Sequence, residues 1–162
     1  MSLSKTQQEL QKRMLSPFKF GLFKATKLPL SFLVGIKIKE LSEFSSTTIV
    51  NYKFLNSNPF KSMYFAVLSM SAELSTGALA LLSVAKYTES IAVLVIESNG
   101  KFHKKAKGKI KFTCADGAKF KESLHRCVKN NVPATVIAES KGFNSNGELV
   151  CEYKFTWSFK VR

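Results

Sequence analysis

The sequence predicts an α+β fold in which one long helix is wrapped by an antiparallel β-sheet, with a helical arm at the N-terminus. Three observations carry this. The run NPFKSMYFAVLSMSAELSTGALALLSVAK, Asn58 to Lys86, is almost uncharged and reads as a helix apolar on nearly all sides, which needs a layer wrapped about it. Leu149 to Val161 alternates strictly, with Leu149, Cys151, Tyr153, Phe155, Trp157, Phe159 and Val161 on one face, the signature of a half-buried strand. Lys101 to Thr113 also alternates, with Lys105, Lys107, Lys109 and Lys111 facing one way and Ala106, Gly108, Ile110 and Phe112 the other.

The chain of 162 residues has the size of one domain and enough apolar residues to fill a core without cross-links. Its 45% hydrophobic content and 14 phenylalanines exclude a disordered tail protein. Three cysteines, Cys114, Cys127 and Cys151, are odd in number and lack CxxC spacing, so they read as reduced thiols and point to the cytoplasm. No secretory leader is expected from the polar start.

Taken in order, Ser4 caps a first helix with Gln7 as its capping-box partner. Pro17 to Leu30 mixes Phe18, Phe20, Leu22 and Phe23 with Lys19, Lys24 and Lys27 and reads either as a packed helical arm or as a segment lying on a membrane surface. Leu33 to Ile38 and Thr47 to Phe54 are expected as a first pair of strands. After the long helix, Ser90 to Ile96 reads as a central strand, and Asn99-Gly100 as a hairpin turn into the strand from Lys101. Lys119 to Asn130 spaces Phe120, Leu124 and Val128 as an amphipathic helix, expected to cover the sheet edge or the mouth of a site. Ala134 to Ser140 is a further strand, turning at Asn144 to Gly147 into the last.

The segment Ser62 to Ala85 is long enough to span a bilayer, but its central Glu73 would cost a few kcal/mol there. A soluble core helix is the better reading. Glu73 is then the most informative residue of the chain, because an ionised group among Ala, Leu, Val, Met and Ser is costly to bury unless it is paired or has a role.

The start of the helix is similar to hotdog thioesterases of the phenylacetic-acid-pathway type, whose motif runs Asn-Pro-x-Gly-x-x-His-Gly-Gly, then six residues and an Asp or Glu. Asn58, Pro59, Tyr64, Phe65, Ala66 and Glu73 stand at the matching spacings. The helix resembles more closely still an uncharacterised thioesterase-like branch of hotdog proteins, through Asn58-Pro59, Ser62, Ala66, Leu68, Ala72-Glu73-Leu74 and Gly77. The resemblance runs from about Leu28 onward. It implies a single hotdog domain over residues 1–162, with residues 1–30 as the helical arm and 31–162 as the core. It also implies a homodimer or dimer of dimers with sites at the interface, and hydrolysis of an acyl-CoA or related acyl thioester.

On that reading Glu73 is the general base or nucleophile, and Asn58 positions water or the carbonyl. The N–H groups near Phe65 and Ala66 polarise the carbonyl, and Tyr64 belongs to the same substrate-binding set. Ser69, Thr76 and Gly77 share the helix face of Glu73 and leave room beside it. Other roles stay open: Glu73 as a buried acid satisfied by a hydroxyl or by a second copy, and Asn58 as the helix N-cap ahead of Pro59. Tyr64-Phe65-Ala66 stands where the relatives have His-Gly-Gly, which implies a narrower or differently shaped pocket.

A net charge of +14 asks for an anionic partner. Lys104, Lys105 and Lys107 are candidates for the phosphates of coenzyme A. A lysine-lined strand following nucleic acid and a plain solvated face are the alternatives, though no nucleic-acid-binding motif is present. His103 and His125 are isolated, so no metal is expected, and no cofactor beyond coenzyme A as part of the substrate. The reading from a different functional class is a non-catalytic hotdog module that binds an acyl chain or a protein.

Overall fold

The computed structural model describes residues 3–162. Three helices form the arm: α1 (Lys5–Leu15), α2 (Pro17–Lys27) and α3 (Pro29–Val34). The Ser4–Gln7 capping box that starts α1 is present. Ser16 closes α1 and caps α2, whose first residue is Pro17, so the two helices meet at a sharp corner. The arm is tied down by polar contacts: Gln7 Nε2 donates to the Leu82 carbonyl at 2.9 Å and Gln11 Nε2 to the Leu41 carbonyl at 2.6 Å.

The strands are β1 (Lys37–Leu41), β2 (Ser46–Asn51), β3 (Ile91–Phe102), β4 (Lys109–Cys114), β5 (Ala134–Phe143) and β6 (Leu149–Val161). They form one antiparallel sheet in the order β1-β2-β4-β5-β6-β3. The long helix α4 (Phe65–Val84) packs against β2, β4, β5 and β6, the helix-in-sheet layout the sequence predicts. Although α4 is long and apolar enough to cross a membrane, 67% of its most apolar window is buried inside the protein. Its serines fit there because the sheet satisfies them. Thr48 Oγ1 donates to the Ser71 carbonyl at 2.7 Å, and the Ser75 and Ser140 hydroxyls share a hydrogen bond of 2.7 Å. Phe112, Phe120 and Phe159 have no exposed surface, and burying each contributes about 1.5–3 kcal/mol.

Several expectations need correction. Leu33 and Val34 belong to α3 and not to a strand: Pro29 starts that helix, and Gly35, at φ 75°, ends it, so β1 begins only at Lys37. The strand expected over Thr47 to Phe54 stops at Asn51. Phe54 lies in a 3-10 turn (Phe54–Asn56) held by Asn56 Oδ1, which accepts from the Lys53 N–H.

The strand expected over Ser90 to Ile96 is β3, which lies at the edge of the sheet and not at its centre. Asn99-Gly100 makes no hairpin turn; it lies inside β3, opposite Lys154 and Tyr153. A Cβ at Gly100 would lie 2.6 Å from the Tyr153 ring, so glycine serves here to seat an aromatic on the neighbouring strand. The single strand expected from Lys101 to Thr113 is two, broken by a loop that places Lys104, Lys105 and Lys107 outside any strand. Only its second half keeps the alternation, with Ile110 and Phe112 buried and Lys109 and Lys111 exposed.

The predicted amphipathic helix is present as α5 (Gly117–Asn130). It covers neither an edge nor a mouth: Phe120, Leu124 and Cys127 are buried where α5 packs beside α4 over β5 and β6. All three cysteines are free and buried, and burial pushes the Cys114 and Cys151 thiols up to about 12.

Candidate functional site

The start of α4 differs from the expected one. Asn58 is not its N-cap and Pro59 is not its first residue; both lie in a turn ahead of it. The Asn58 side chain builds that turn, with Oδ1 accepting from the N–H groups of Phe60 (3.0 Å) and Ser62 (3.2 Å) and Nδ2 reaching Ser62 Oγ and the Met63 carbonyl, each at 3.4 Å. The helix begins at Phe65, and the side chain of Tyr64 before it makes no capping bond. The first-turn amides at Phe65 and Ala66 therefore have no intrahelical acceptor, and the positive end of the helix dipole lies open.

A cavity of about 860 Å³ lies at this helix start, lined by Asn58, Tyr64, Phe65, Leu68, Phe102 and Lys105 among others. Its wall is aromatic: Tyr64 packs edge-on to Phe65 (4.9 Å between centroids), Phe65 on Phe102 (6.5 Å) and Phe102 on Tyr153 (5.7 Å). The Tyr153 hydroxyl donates to the Phe65 carbonyl at 3.2 Å and so fixes the first turn of α4 against β6. Lys104 and Lys105 line the same cavity; Lys104 is ion-paired with Glu148, and Lys105 Nζ donates to the Phe60 carbonyl at 3.2 Å. Lys107 does not line it.

Glu73 lies two turns further along α4, roughly 12 Å from the Phe65 position by helix rise. Ala66, Ser69 and Glu73 are all half-buried, on the one side of α4 that neither sheet nor α5 fully covers. Glu73 lines a second cavity, of about 320 Å³, closed by the arm at Lys27, Leu28, Pro29, Leu30 and Ser31. Its carboxylate receives no side-chain hydrogen bond or ion pair among the described residues, so the hydroxyl-satisfied alternative does not hold within one chain. Burial alone raises its pKa.

Gly77 gives the acid its room: a Cβ there would stand 3.1 Å from Glu73 Oε1 and 3.2 Å from the Trp157 ring. Thr76 points elsewhere. Its hydroxyl accepts from Trp157 Nε1–H at 3.0 Å and donates to the Glu73 carbonyl at 2.9 Å, a buried structural link.

Within one chain, then, Asn58, Tyr64, Phe65, Lys104 and Lys105 come together at the helix start, while Glu73 lines a separate cavity under the arm. Two residues of the second cavity carry no sequence signal. Leu28 and Ser31 sit in the arm, and the Ser31 hydroxyl is buried without a hydrogen-bond partner among the described residues. Among the described residues no cluster of three His, Cys, Asp or Glu side chains could hold a metal ion.

No protein-family model and no curated protein matches the chain. Solved structures do. A Pseudomonas aeruginosa protein of unknown function described as a probable thioesterase is 19% identical, with a TM-score of 0.73 over 93% of this chain and 99% of that one. A thioesterase from Haemophilus influenzae is 14% identical, with a TM-score of 0.66 over 94% and 95%. A further Pseudomonas aeruginosa thioesterase is 11% identical, with a TM-score of 0.67 over 94% and 99%. At such identities the likeness speaks for architecture, and with the six-stranded antiparallel sheet about α4 it establishes that the chain has the hotdog fold.

Proposed function

We propose that the chain hydrolyses acyl thioesters, with an acyl-CoA as the substrate class and Glu73 as general base or nucleophile. The observation that carries this reading is the unpaired Glu73 carboxylate, its pKa raised by burial, lining an apolar cavity on the central helix of a hotdog fold. A carboxylate in such surroundings is a better proton acceptor than one in water, and the proton it takes from water lets the hydroxide attack the thioester carbonyl. The C–S bond then breaks, and the leaving thiolate takes the proton back from Glu73 and departs as the thiol. The free amides at Phe65 and Ala66 suit the oxyanion, Asn58 holds the turn that presents them, and Lys104 and Lys105 stand where nucleotide phosphates would meet positive charge. The buried, unpartnered Ser31 hydroxyl offers the attacking water a second contact beside Glu73. The similarity of the Asn58 to Gly77 string to thioesterase-like hotdog proteins supports the same reading.

Because one chain holds the amides and the carboxylate in separate cavities, the working unit on this proposal is a homodimer whose interface joins them. β3 supports this. It is a twelve-residue edge strand with a free side, and Leu94 and Ile96 on it are exposed. The purified protein assayed against acyl-CoAs of graded chain length tests the assignment. Wild type releases thiol, and Glu73→Gln loses about a hundredfold or more in kcat while still binding substrate. No hydrolysis of any acyl-CoA, with saturable binding retained, would replace the enzyme by an acyl-binding module. Hydrolysis untouched by the substitution would remove Glu73 from the chemistry.

A further inference from the structure

The arm has a second apolar face that the core does not use. α2 buries Phe20 and Lys24, and on its opposite side Phe18, Leu22 and Ala25 recur at i, i+4, i+7 spacing. Phe18 is 82% and Leu22 62% exposed, and Leu30 and Leu33 of the following helix α3 are exposed as well. The arm that carries this face is basic. Residues 1–39 hold eight lysines and arginines and a single acid, Glu9. Lys19 is exposed next to Phe18, and Lys27 ends α2.

We propose that the outer face of α2, continued by α3, docks on an anionic membrane surface, with Phe18 and Leu22 at the headgroup boundary and the lysines on lipid phosphates. The combination favours this occupant over others. A second copy seated on the same face would set residues 1–39 of two chains, each with eight lysines and arginines and one acid, against each other. Nucleic acid would match the lysines and leave the apolar residues unused. Phe18 and Leu22 form a ridge that lines none of the cavities bordering α2, and a ridge suits insertion into a soft layer. Docking also has a consequence for the site, which rests on the thioesterase reading: the cavity of Glu73 is closed by Lys27 to Ser31, so a docked arm holds that cavity against the bilayer, where long-chain acyl thioesters partition.

Flotation with vesicles of phosphatidylcholine, alone or mixed with phosphatidylserine, tests this. The full chain floats with the mixed vesicles, and less so as salt rises. The double variant Phe18→Ser/Leu22→Ser weakens binding about tenfold or more and Lys19→Glu about fivefold, with unchanged thermal unfolding, since all three side chains are exposed and none lines the cavity of Glu73. Failure of the wild type to float, or flotation that both variants leave intact, overturns the proposal. A wild type that does not float but whose mass by light scattering falls on Phe18→Ser/Leu22→Ser makes the face a contact between copies instead. Hydrolysis of a short, water-soluble acyl-CoA reads the two proposals apart: the arm variants keep it, and its absence in the wild type would sink the thioesterase reading alone.

Discussion

Glu73 makes the folded chain sensitive to pH in a direction opposite to that of a salt-bridged acid. Burial raises its pKa, so the folded state holds its proton at pH values where the unfolded chain has released it. The contribution to stability is therefore complete below the ordinary carboxylate value, about pH 4, and is lost as pH rises through the raised value. Glu73→Gln removes this dependence. The variant is expected to melt higher than wild type at neutral pH and level with it under acid, by differential scanning calorimetry at a series of pH values. Its neighbour Thr76 ties the helix to Trp157 on β6. Thr76→Val keeps the shape and strands the buried Trp157 N–H, at a cost of about 1–3 kcal/mol measurable by urea unfolding.

At the scale of elements, the contacts across the sheet decide where local signals hold. The span of β6 was legible to the residue, because one face of Leu149 to Val161 is apolar without a break. Asn99-Gly100 has the local chemistry of a turn, yet Tyr153 on β6 needs the space a glycine leaves, and nothing near Gly100 in the sequence says so. The start of α4 misled for a related reason. Asn58-Pro59 has the composition of a helix start, but Asn58 spends its hydrogen bonds on Phe60, Ser62 and Met63, and the helix waits for Phe65. The start of α5 shows how tight such packing is. A Cβ on Gly117 would lie 2.2 Å from the Glu43 carbonyl oxygen and 2.5 Å from Phe44 Cα, backbone atoms that cannot swing aside. Gly117→Ala is thus expected to destabilise the fold by about 1–3 kcal/mol through displacement of α5, seen as a lower urea midpoint at unchanged m-value.

At the scale of the whole molecule, the two proposed associations meet a single net charge of +14. The candidate acid was legible because it is the one carboxylate in an apolar helix; its surroundings were not, since the arm segment over it lies some forty-five residues upstream and reads only as a basic apolar stretch. That arm and the free edge of β3 respond oppositely to salt. Two chains of +14 repel, so a dimer formed through β3 tightens as salt screens them, whereas docking of the arm on anionic lipid weakens. Leu94→Lys/Ile96→Lys puts charge on the free edge without touching the core, as both side chains are exposed. The variant is expected to be monomeric by light scattering at every salt concentration, to unfold as wild type does, and to lose hydrolysis together with the dimer while retaining flotation. A monomeric variant that still hydrolyses acyl-CoA would show that a single chain completes the site. Loss of flotation with the dimer would show that the arm needs two copies to hold a membrane.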